Sequence, residues 1–385
     1  MSDEARLTVS CRGQAIAYSL ALTGLTASLV AHAYDPVRAW SQLMLNTFYL
    51  LSMSLAALLF VAIQYLTASR WSACLRRIPE ALMTVLPAAA MAMLSLTVMR
   101  GAIGPSLHRD ALLSPAKARF LSTPFLAGRA LLVLGAWVCL AALVRRASLR
   151  EDADGGFVHH RRLKRYSAIF AVVFALTFSV TSVDWLMSLD PGWVSTIFAV
   201  YLFAGLLVQG AAGVTVVAVA LRASGRAAFI TDDHLHDLGK LLFGFSTLWA
   251  YMWFSQYLLI WYGNIPDEVT HYATRTSAAW LPLFWANVAV NWVVPFVALL
   301  PRANKRDARV LIAIALAVLV GRWLDLYLII VPETAARPTF GLLEVAMALG
   351  SAGLLVGLTT RALGRAALVP VNDPFLAASL GHHTA

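Results

Sequence analysis

Ten long apolar segments follow one another along the chain, separated by short polar connections. Each is close to the roughly 20 residues that an α-helix needs to cross a bilayer. They predict helices at about 13–33, 40–66, 81–99, 121–144, 166–189, 193–221, 240–262, 278–299, 308–330 and 340–360. The pattern therefore predicts an all-α integral membrane protein with about ten transmembrane helices and no room for a soluble catalytic domain.

Composition supports the membrane class. Of the 385 residues, 60% are hydrophobic and only 13% are charged, with a mean hydropathy of +0.72. Soluble domains carry about 25% charged residues. A net charge of +10 could indicate nucleic-acid binding. The distribution of the basic residues argues against it, because they follow the predicted membrane topology.

Most of the 30 lysines and arginines lie in alternate connections, including the stretch between Arg145 and Arg165. The positive-inside rule places those connections, and both termini, in the cytoplasm. Five tryptophans at the other helix ends are then expected to form an aromatic belt at the outer interface: Trp40, Trp185, Trp193, Trp261 and Trp280. We expect a multi-pass membrane protein with both termini in the cytoplasm.

The N-terminal segment has a second interpretation. Arg6, Arg12 and the apolar stretch up to Ala31-His32-Ala33 resemble a signal peptide with an A-x-A site. The apolar stretch is long for a signal peptide, so we expect it to remain as the first helix.

Ligands for a redox metal are not evident. The nine histidines lie at predicted helix ends, in loops or in the tail, and the three cysteines are isolated. Haem and iron–sulfur sites need histidines or cysteines placed together. The stretch TDDHLHDLGK (231–240) has His236 and Asp237 beside Lys240, which favours a helix start over a metal site. We therefore expect no metal cofactor.

Five charged residues fall inside predicted spans, in the outer half of the bilayer: Arg129, Asp184, Arg322, Asp325 and Glu344. A charge at mid-helix costs roughly 2.5–3.5 kcal/mol on insertion scales, so it needs a partner or a water-filled cavity. One interpretation is a set of structural ion pairs, with Arg322 and Asp325 paired three residues apart. The other is a pocket or half-channel for protons or a quinol headgroup.

Uncharged polar residues extend this pattern inward. They are Ser246, Trp249, Trp253 and Gln256 on one face of the seventh helix, Asn287 and Asn291 on the eighth, and Gln209 on the sixth. Hydrogen bonds between helices are the simpler interpretation, and Gly353-x-x-x-Gly357 is a helix-packing signal. Asp190-Pro191 predicts a turn between helices five and six, for which Asp184 is not needed.

Two stretches then suggest a family: DWLMSLDPGWVSTIFAVYLFAG (184–205) and HDLGKLLFGFSTLWAYMWFSQYLLIWYGNIPDE (236–268). They resemble the second NrfD-like membrane subunit, ActF type, of alternative complex III, a bacterial quinol:cytochrome c (or cupredoxin) oxidoreductase. The resemblance implies two four-helix bundles, helices two to five and six to nine, flanked by helices one and ten. On this basis the chain divides into 1–39, 40–189, 190–330 and 331–385.

The resemblance also implies a location in the bacterial inner membrane, a set of partners and a role. The partners would be iron–sulfur and multihaem periplasmic subunits and a sister NrfD-like subunit that binds quinol. This chain would contribute a proton pathway, a quinone-binding surface, or both, without a redox metal of its own. Two other functions remain open: a stand-alone secondary transporter, and a purely structural membrane anchor of a respiratory complex.

Overall fold

The computed structural model describes residues 10–103, 114–155 and 157–383, and every element in these ranges is a helix. The helices are α1 (Cys11–Tyr34), α2 (Pro36–Leu66), α3 (Arg77–Leu82), α4 (Leu86–Ile103), α5 (Pro115–Phe120), α6 (Thr123–Asp154), α7 (Phe157–Trp185), α8 (Phe198–Ala223), α9 (Asp232–Gly263), α10 (Pro266–Arg275), α11 (Leu281–Val288), α12 (Val294–Leu299), α13 (Arg302–Arg306), α14 (Ala308–Ile330), α15 (Leu342–Leu363) and α16 (Leu376–Leu380). Arg6, His108 and Arg109 lie outside the described residues.

Nine stretches of the described residues form helices long and apolar enough to cross a membrane, which confirms an all-α multi-pass membrane protein. They match nine of the ten predicted spans. The seventh predicted span lies in α9, a helix of 32 residues whose charged start and internal polar positions lower its hydropathy. Helix α9 nevertheless extends along the whole bundle, because its first turns contact His382 and the α10 segment that follows it contacts Asp190.

Several helices are longer than their apolar segments. The basic stretch 146–165 was expected to be a loop, but α6 continues to Asp154 and α7 begins at Phe157. Gly155 ends α6 with a left-handed φ of 64°, which glycine adopts without strain. Conversely, α8 begins at Phe198 rather than 193, after the predicted turn, in which Trp193 N–H donates to the Asp190 carbonyl at 3.1 Å. Hydropathy marks the part of a helix that lies in lipid and does not mark its ends.

The first and last spans, α1 and α15, pack closely along glycines. A β-carbon built on Gly350 would lie 2.6 Å from the Gly24 Cα, and one built on Gly353 would lie 2.6 Å from the Ala17 carbonyl oxygen. The two backbones can approach this closely only without side chains between them. This contact confirms the predicted packing role of the Gly353 motif. It also shows that α1 packs against the rest of the folded chain through α15.

The other spans pack in two groups. Helices α2, α4, α6 and α7 contact one another in turn, and α8, α9, α11–α12 and α14 do the same. Helix α2 joins the groups through contacts with α8 and α14. At this contact Gln209 donates to the Tyr49 carbonyl at 3.0 Å and accepts from Ser52 at 2.6 Å, which confirms that Gln209 makes hydrogen bonds between helices.

The helix connections collect at two ends of the molecule. The basic end consists of residues 67–76, 224–231, 300–307 and 364–383, held together by ion pairs such as Arg306–Asp233 and Arg76–Asp373. The opposite end consists of residues 114–122, 186–197, 264–280 and 331–341. Since α1 and α15 are antiparallel, the first and last described residues both lie at the basic end.

The expected aromatic belt is wrong for four of its five tryptophans. Trp40, Trp185, Trp193 and Trp280 are buried against protein, and only Trp261 is exposed, at 64%. An indole is large and apolar enough to fill the space between helix ends, where it contributes to the core instead of anchoring the protein in lipid.

The α1–α15 contact predicts a position-specific effect. We expect Gly350→Leu to destabilise the detergent-solubilised protein by about 1–3 kcal/mol, because the new side chain would overlap the α1 backbone. The matched control is Gly135→Leu, at a glycine with no neighbour within 4 Å of an added β-carbon. The measurement is thermal unfolding of both variants, and equal melting temperatures would contradict this packing.

Candidate functional site

Each of the five charged residues predicted inside the spans forms an ion pair, and the three pairs are separate from one another. Arg129 pairs with Asp184, Arg322 with Asp325, and Glu344 with Arg38 in the first turn of α2. Within the described residues no hydrogen bond or salt bridge joins one pair to another. The three pairs therefore have to be considered one by one.

The first pair lies between α6 and α7. Arg129 donates through Nε and Nη2 to both carboxylate oxygens of Asp184, at 2.9 and 2.7 Å. Its guanidinium also lies over the Phe120 ring, 3.8 Å from the centroid. Arg100, which sequence analysis missed as a buried charge, donates to the Asp184 carbonyl and to Ser188. The bidentate geometry of the Arg129–Asp184 pair is the strong form of an ion pair, and it favours a structural role for Asp184.

Glu344 has a similar structural environment at the start of α15. Both of its oxygens accept from Arg38, at 2.8 and 2.9 Å, and one also accepts from the Gly341 backbone at 2.8 Å. A carboxylate at this position satisfies a free N–H of the first helical turn and interacts favourably with the helix dipole. Glu344 thus links α15 to the start of α2.

The third pair belongs to a larger group, which we call the Asp325 cluster: Asp325, Arg322, Tyr201, Trp249 and Asn287. Arg322 and Asp325 form the predicted salt bridge along α14. The Tyr201 hydroxyl of α8 donates to Asp325, and so does the Asn287 amide of α11, at 2.8 Å. The Trp249 indole of α9 lies 3.4 Å from the other oxygen. Four helices therefore converge on one buried carboxylate.

Local sequence makes room for this cluster. A β-carbon on Gly205 would lie 2.2 Å from the Arg322 Cζ, so only glycine leaves space for the guanidinium against α8. Asn291 extends the cluster inward by donating to the Asn287 side chain at 2.7 Å. It lies in a π-helical turn, Ala289–Val293, just before Pro295. The wider turn relieves the clash of the proline ring with the backbone four residues earlier.

Several polar atoms around the cluster are buried and have no protein partner within the described residues. They are Ser246 Oγ, Gln256 Oε1, Asn291 Oδ1, Trp292 Nε1 and Arg322 Nε. A buried polar atom without a hydrogen bond costs about 1–3 kcal/mol, and such atoms in proteins usually bind ordered water. The interior of the second helix group therefore has polar atoms that can bind water. Sequence analysis had interpreted Ser246, Gln256 and Asn291 as sites of hydrogen bonds between helices.

The candidates at the start of α9 lie at the basic end, far along the helix from this cluster. Asp237 pairs with Lys240 at 2.5 Å and with His382 of the C-terminal segment at 2.7 Å. His236 is buried, and its Nδ1 has no partner within the described residues. These residues attach the C-terminal segment to α9. Their ion pairs agree with the prediction of a helix start in this stretch.

One site escaped sequence analysis. At the opposite end, the imidazole of His271 in α10 stacks on Trp193 at 3.8 Å with an angle of 8° between the rings. Its Nδ1 lies 3.4 Å from Asp190 and 3.8 Å from Glu333. Burial lowers the pKa of His271 well below its usual value; Arg275 adds to this decrease and Glu333 opposes it. We call His271, Asp190, Glu333 and Arg275 the His271 site.

Asp190 also lines a cleft between α5, α7 and α8. Its volume is about 390 Å³, within the range of small-molecule sites. The walls are mostly apolar, with Lys117 and the hydroxyls of Ser195 and Thr196 as polar groups. Val194, in the turn before α8, and Val200 of α8 are exposed at its edge, so the cleft opens at the outer surface of the helix bundle.

Comparison with known proteins does not assign this chain to a family. No family model matches the sequence, and no curated protein matches it significantly.

The Arg129–Asp184 pair can be tested by a double-mutant cycle. We expect a coupling of about 1–3 kcal/mol between Arg129→Gln and Asp184→Asn in thermal unfolding, because each change leaves a buried charge without its partner. The control is the exposed pair Arg222–Asp232, for which we expect less than about 1 kcal/mol. Equal coupling in the two cycles would contradict the structural importance of Asp184.

The His271 site predicts a pH effect on stability. A histidine whose pKa is lowered on folding favours the folded state when neutral, so its contribution is complete above about pH 6.5, the unfolded value, and is lost as the pH falls below it. We expect His271→Gln to reduce the slope of unfolding free energy against pH between pH 6.5 and 5, by up to about 1.4 kcal/mol per pH unit. An unchanged slope would contradict the burial of a neutral imidazole.

Proposed function

We propose that this chain is a membrane subunit of a quinol:cytochrome c (or cupredoxin) oxidoreductase of the alternative complex III type, and that it conducts protons through its second helix group. The resemblance of 184–205 and 236–268 to the ActF-type subunit supports the first part. The Asp325 cluster supports the second, and it is the observation that carries the proposal.

The cluster has the properties that a proton path needs. Ionisable groups inside a bilayer that face a bundle interior commonly mark proton relays. Asp325 accepts a hydrogen bond from the Tyr201 hydroxyl, a group that can both donate and accept a hydrogen bond. Arg322 forms a salt bridge with Asp325; a state in which this pair is opened would allow Asp325 to take up a proton. Asn287, Asn291 and Gln256 would position the water that carries it.

The fold agrees with the proposed subunit. The contacts within each helix group support the two four-helix bundles, 40–189 and 190–330, that the resemblance implies, with α1 and α15 flanking them. In the proposed orientation the basic end faces the cytoplasm of a bacterium, and the opposite end faces the periplasmic iron–sulfur and multihaem subunits. The sister NrfD-like subunit would bind quinol, and this chain would hold no redox metal.

A quinone-binding surface is a second candidate role, favoured by the cleft beside Asp190. Its apolar walls suit an isoprenoid tail, and Lys117 with the nearby hydroxyls suits a polar headgroup. A structural anchor would need only the Arg129–Asp184 and Arg38–Glu344 pairs, which connect helices. A transporter would function alone in liposomes, without the partner subunits.

The proton path predicts a specific defect. We expect Asp325→Asn to leave assembly intact and to lower proton release and quinol:acceptor turnover by at least about tenfold, because an amide cannot exchange a proton at physiological pH. The measurement uses the complex purified from native membranes through a tag on this chain and reconstituted in proteoliposomes.

The controls are Asp184→Asn and Glu344→Gln, which change carboxylates in the two structural pairs. Both should retain proton release when the complex assembles. Wild-type turnover and proton yield in assembled Asp325→Asn would refute the proton path. Purification without any partner subunit, together with transport activity of the chain alone, would favour the transporter.

A further inference from the structure

The residues of the His271 site come from three different helix connections. His271 belongs to α10, Asp190 to the turn after α7, and Glu333 to the turn after α14. Arg275, one turn further along α10, donates to Glu333 at 2.8 Å and to the Leu328 and Ile329 carbonyls at the end of α14. The site is therefore held rigidly at the opposite end of the second helix group.

The charges around the imidazole nearly balance. Asp190 and Glu333 face it, Arg275 opposes them, and Lys117 lies beyond Asp190, where it donates to the Pro191 carbonyl at 2.6 Å. The Trp193 ring covers one face of the imidazole. In such an environment an imidazolium is supported by two carboxylates, and a neutral imidazole is supported by burial. The group can exist in both states.

The next residue in the chain connects this site to the Asp325 cluster. The Tyr272 ring meets His271 edge to face at 5.5 Å and meets Tyr257 of α9 at 5.1 Å. Burial raises the pKa of the Tyr272 hydroxyl; Arg275 lowers it, Asp325 raises it, and the side chain of Gln256 lowers it. A continuous series of ring contacts along α9, from Tyr257 through Trp253 to Trp249, then leads from Tyr272 to Asp325. Gln256 is buried on the same polar face of α9.

A metal ion fits this site poorly. His271, Asp190 and Glu333 could each offer one ligand atom, and these atoms lie within 4.8 Å of one another. However, Arg275 already binds Glu333 and would repel a cation. The arrangement suits a proton better than a divalent metal, because a proton needs only one acceptor atom and brings half of the charge that Arg275 repels.

We propose that His271 is the proton-transfer group between the Asp325 cluster and the solution at the opposite end, with Tyr272 and Gln256 as the connection. This inference rests on the proton path proposed above and assigns its outer end. A proton released from the cluster forms an N–H bond at Nε2 of the imidazole while Nδ1 faces Asp190. The imidazolium then gives a proton to water at the surface and returns to the neutral form.

Proton release by the assembled complex in proteoliposomes tests the assignment. We expect His271→Gln to slow release by at least about tenfold, and we expect added imidazole buffer to restore it in proportion to its concentration, because a small base can replace the side chain near the surface. Asp325→Asn should be equally slow but insensitive to imidazole, since its site is enclosed by four helices. A purely structural role for His271 would not produce rescue.

A second measurement uses the purified wild-type chain, labelled with ¹⁵N-histidine and assigned by comparison with His271→Gln. The His271 resonance should titrate between pH 4 and 8, and its midpoint should shift by about half a pH unit or more in Asp325→Asn. This arm remains informative if His271→Gln assembles poorly in the complex.

The outcomes separate the two proposals. Unchanged release in both Asp325→Asn and His271→Gln overturns the proton path itself. Slow release in Asp325→Asn with wild-type release in His271→Gln retains the path and overturns His271 as its outer end. Slow release in His271→Gln without rescue, or a His271 resonance that does not titrate, also overturns the assignment.

Discussion

The folded structure depends on one constraint: a charge or polar group within an apolar layer must have a partner. Arg129–Asp184 satisfies it by joining the consecutive helices α6 and α7, and Arg38–Glu344 by joining α2 and α15, which are distant in the sequence. Each pair therefore fixes helix positions as well as neutralising charge. Asp325 differs, because its arginine is on the same helix and cannot fix a tertiary contact. Its remaining lone pairs draw in groups from three other helices, and this makes α8, α9, α11 and α14 converge.

The constraint explains which features could be predicted from the sequence. Local periodicity places Arg322 and Asp325 on one helix face, so their pairing was predictable, as were nine spans and the Gly353 packing motif. The partners of Asp184 and Glu344 were not, because Arg129 and Arg38 come near them only in the tertiary structure. Hydropathy also could not show that α6 and α7 extend through the basic stretch, since a helix continues into water when its charged residues face solvent.

The His271 site was missed for the same physical reason. Its members come from three connections that sequence analysis treated as turns or interface, and Asp190 already had a sufficient explanation as a turn residue. Trp193 was assigned to a lipid-facing belt, whereas it covers the imidazole. A site assembled from loop residues leaves no periodic pattern, and the only sequence signal was an excess of ionisable residues in short connections on the less basic side.

The depth of the polar groups limits how the proposed path can work. Asp325 lies five residues before the end of α14, roughly 8 Å along the helix axis. A proton moving from Asp325 to that end would cross about a quarter of the bilayer, worth roughly 0.6 kcal/mol per 100 mV. Between Lys240 and Ser246 on α9, residues 241–245 are apolar and include the buried Leu242. The proposed path would thus be a half-channel, and protons from the basic end would need a change in structure or a neighbouring subunit to reach Asp325.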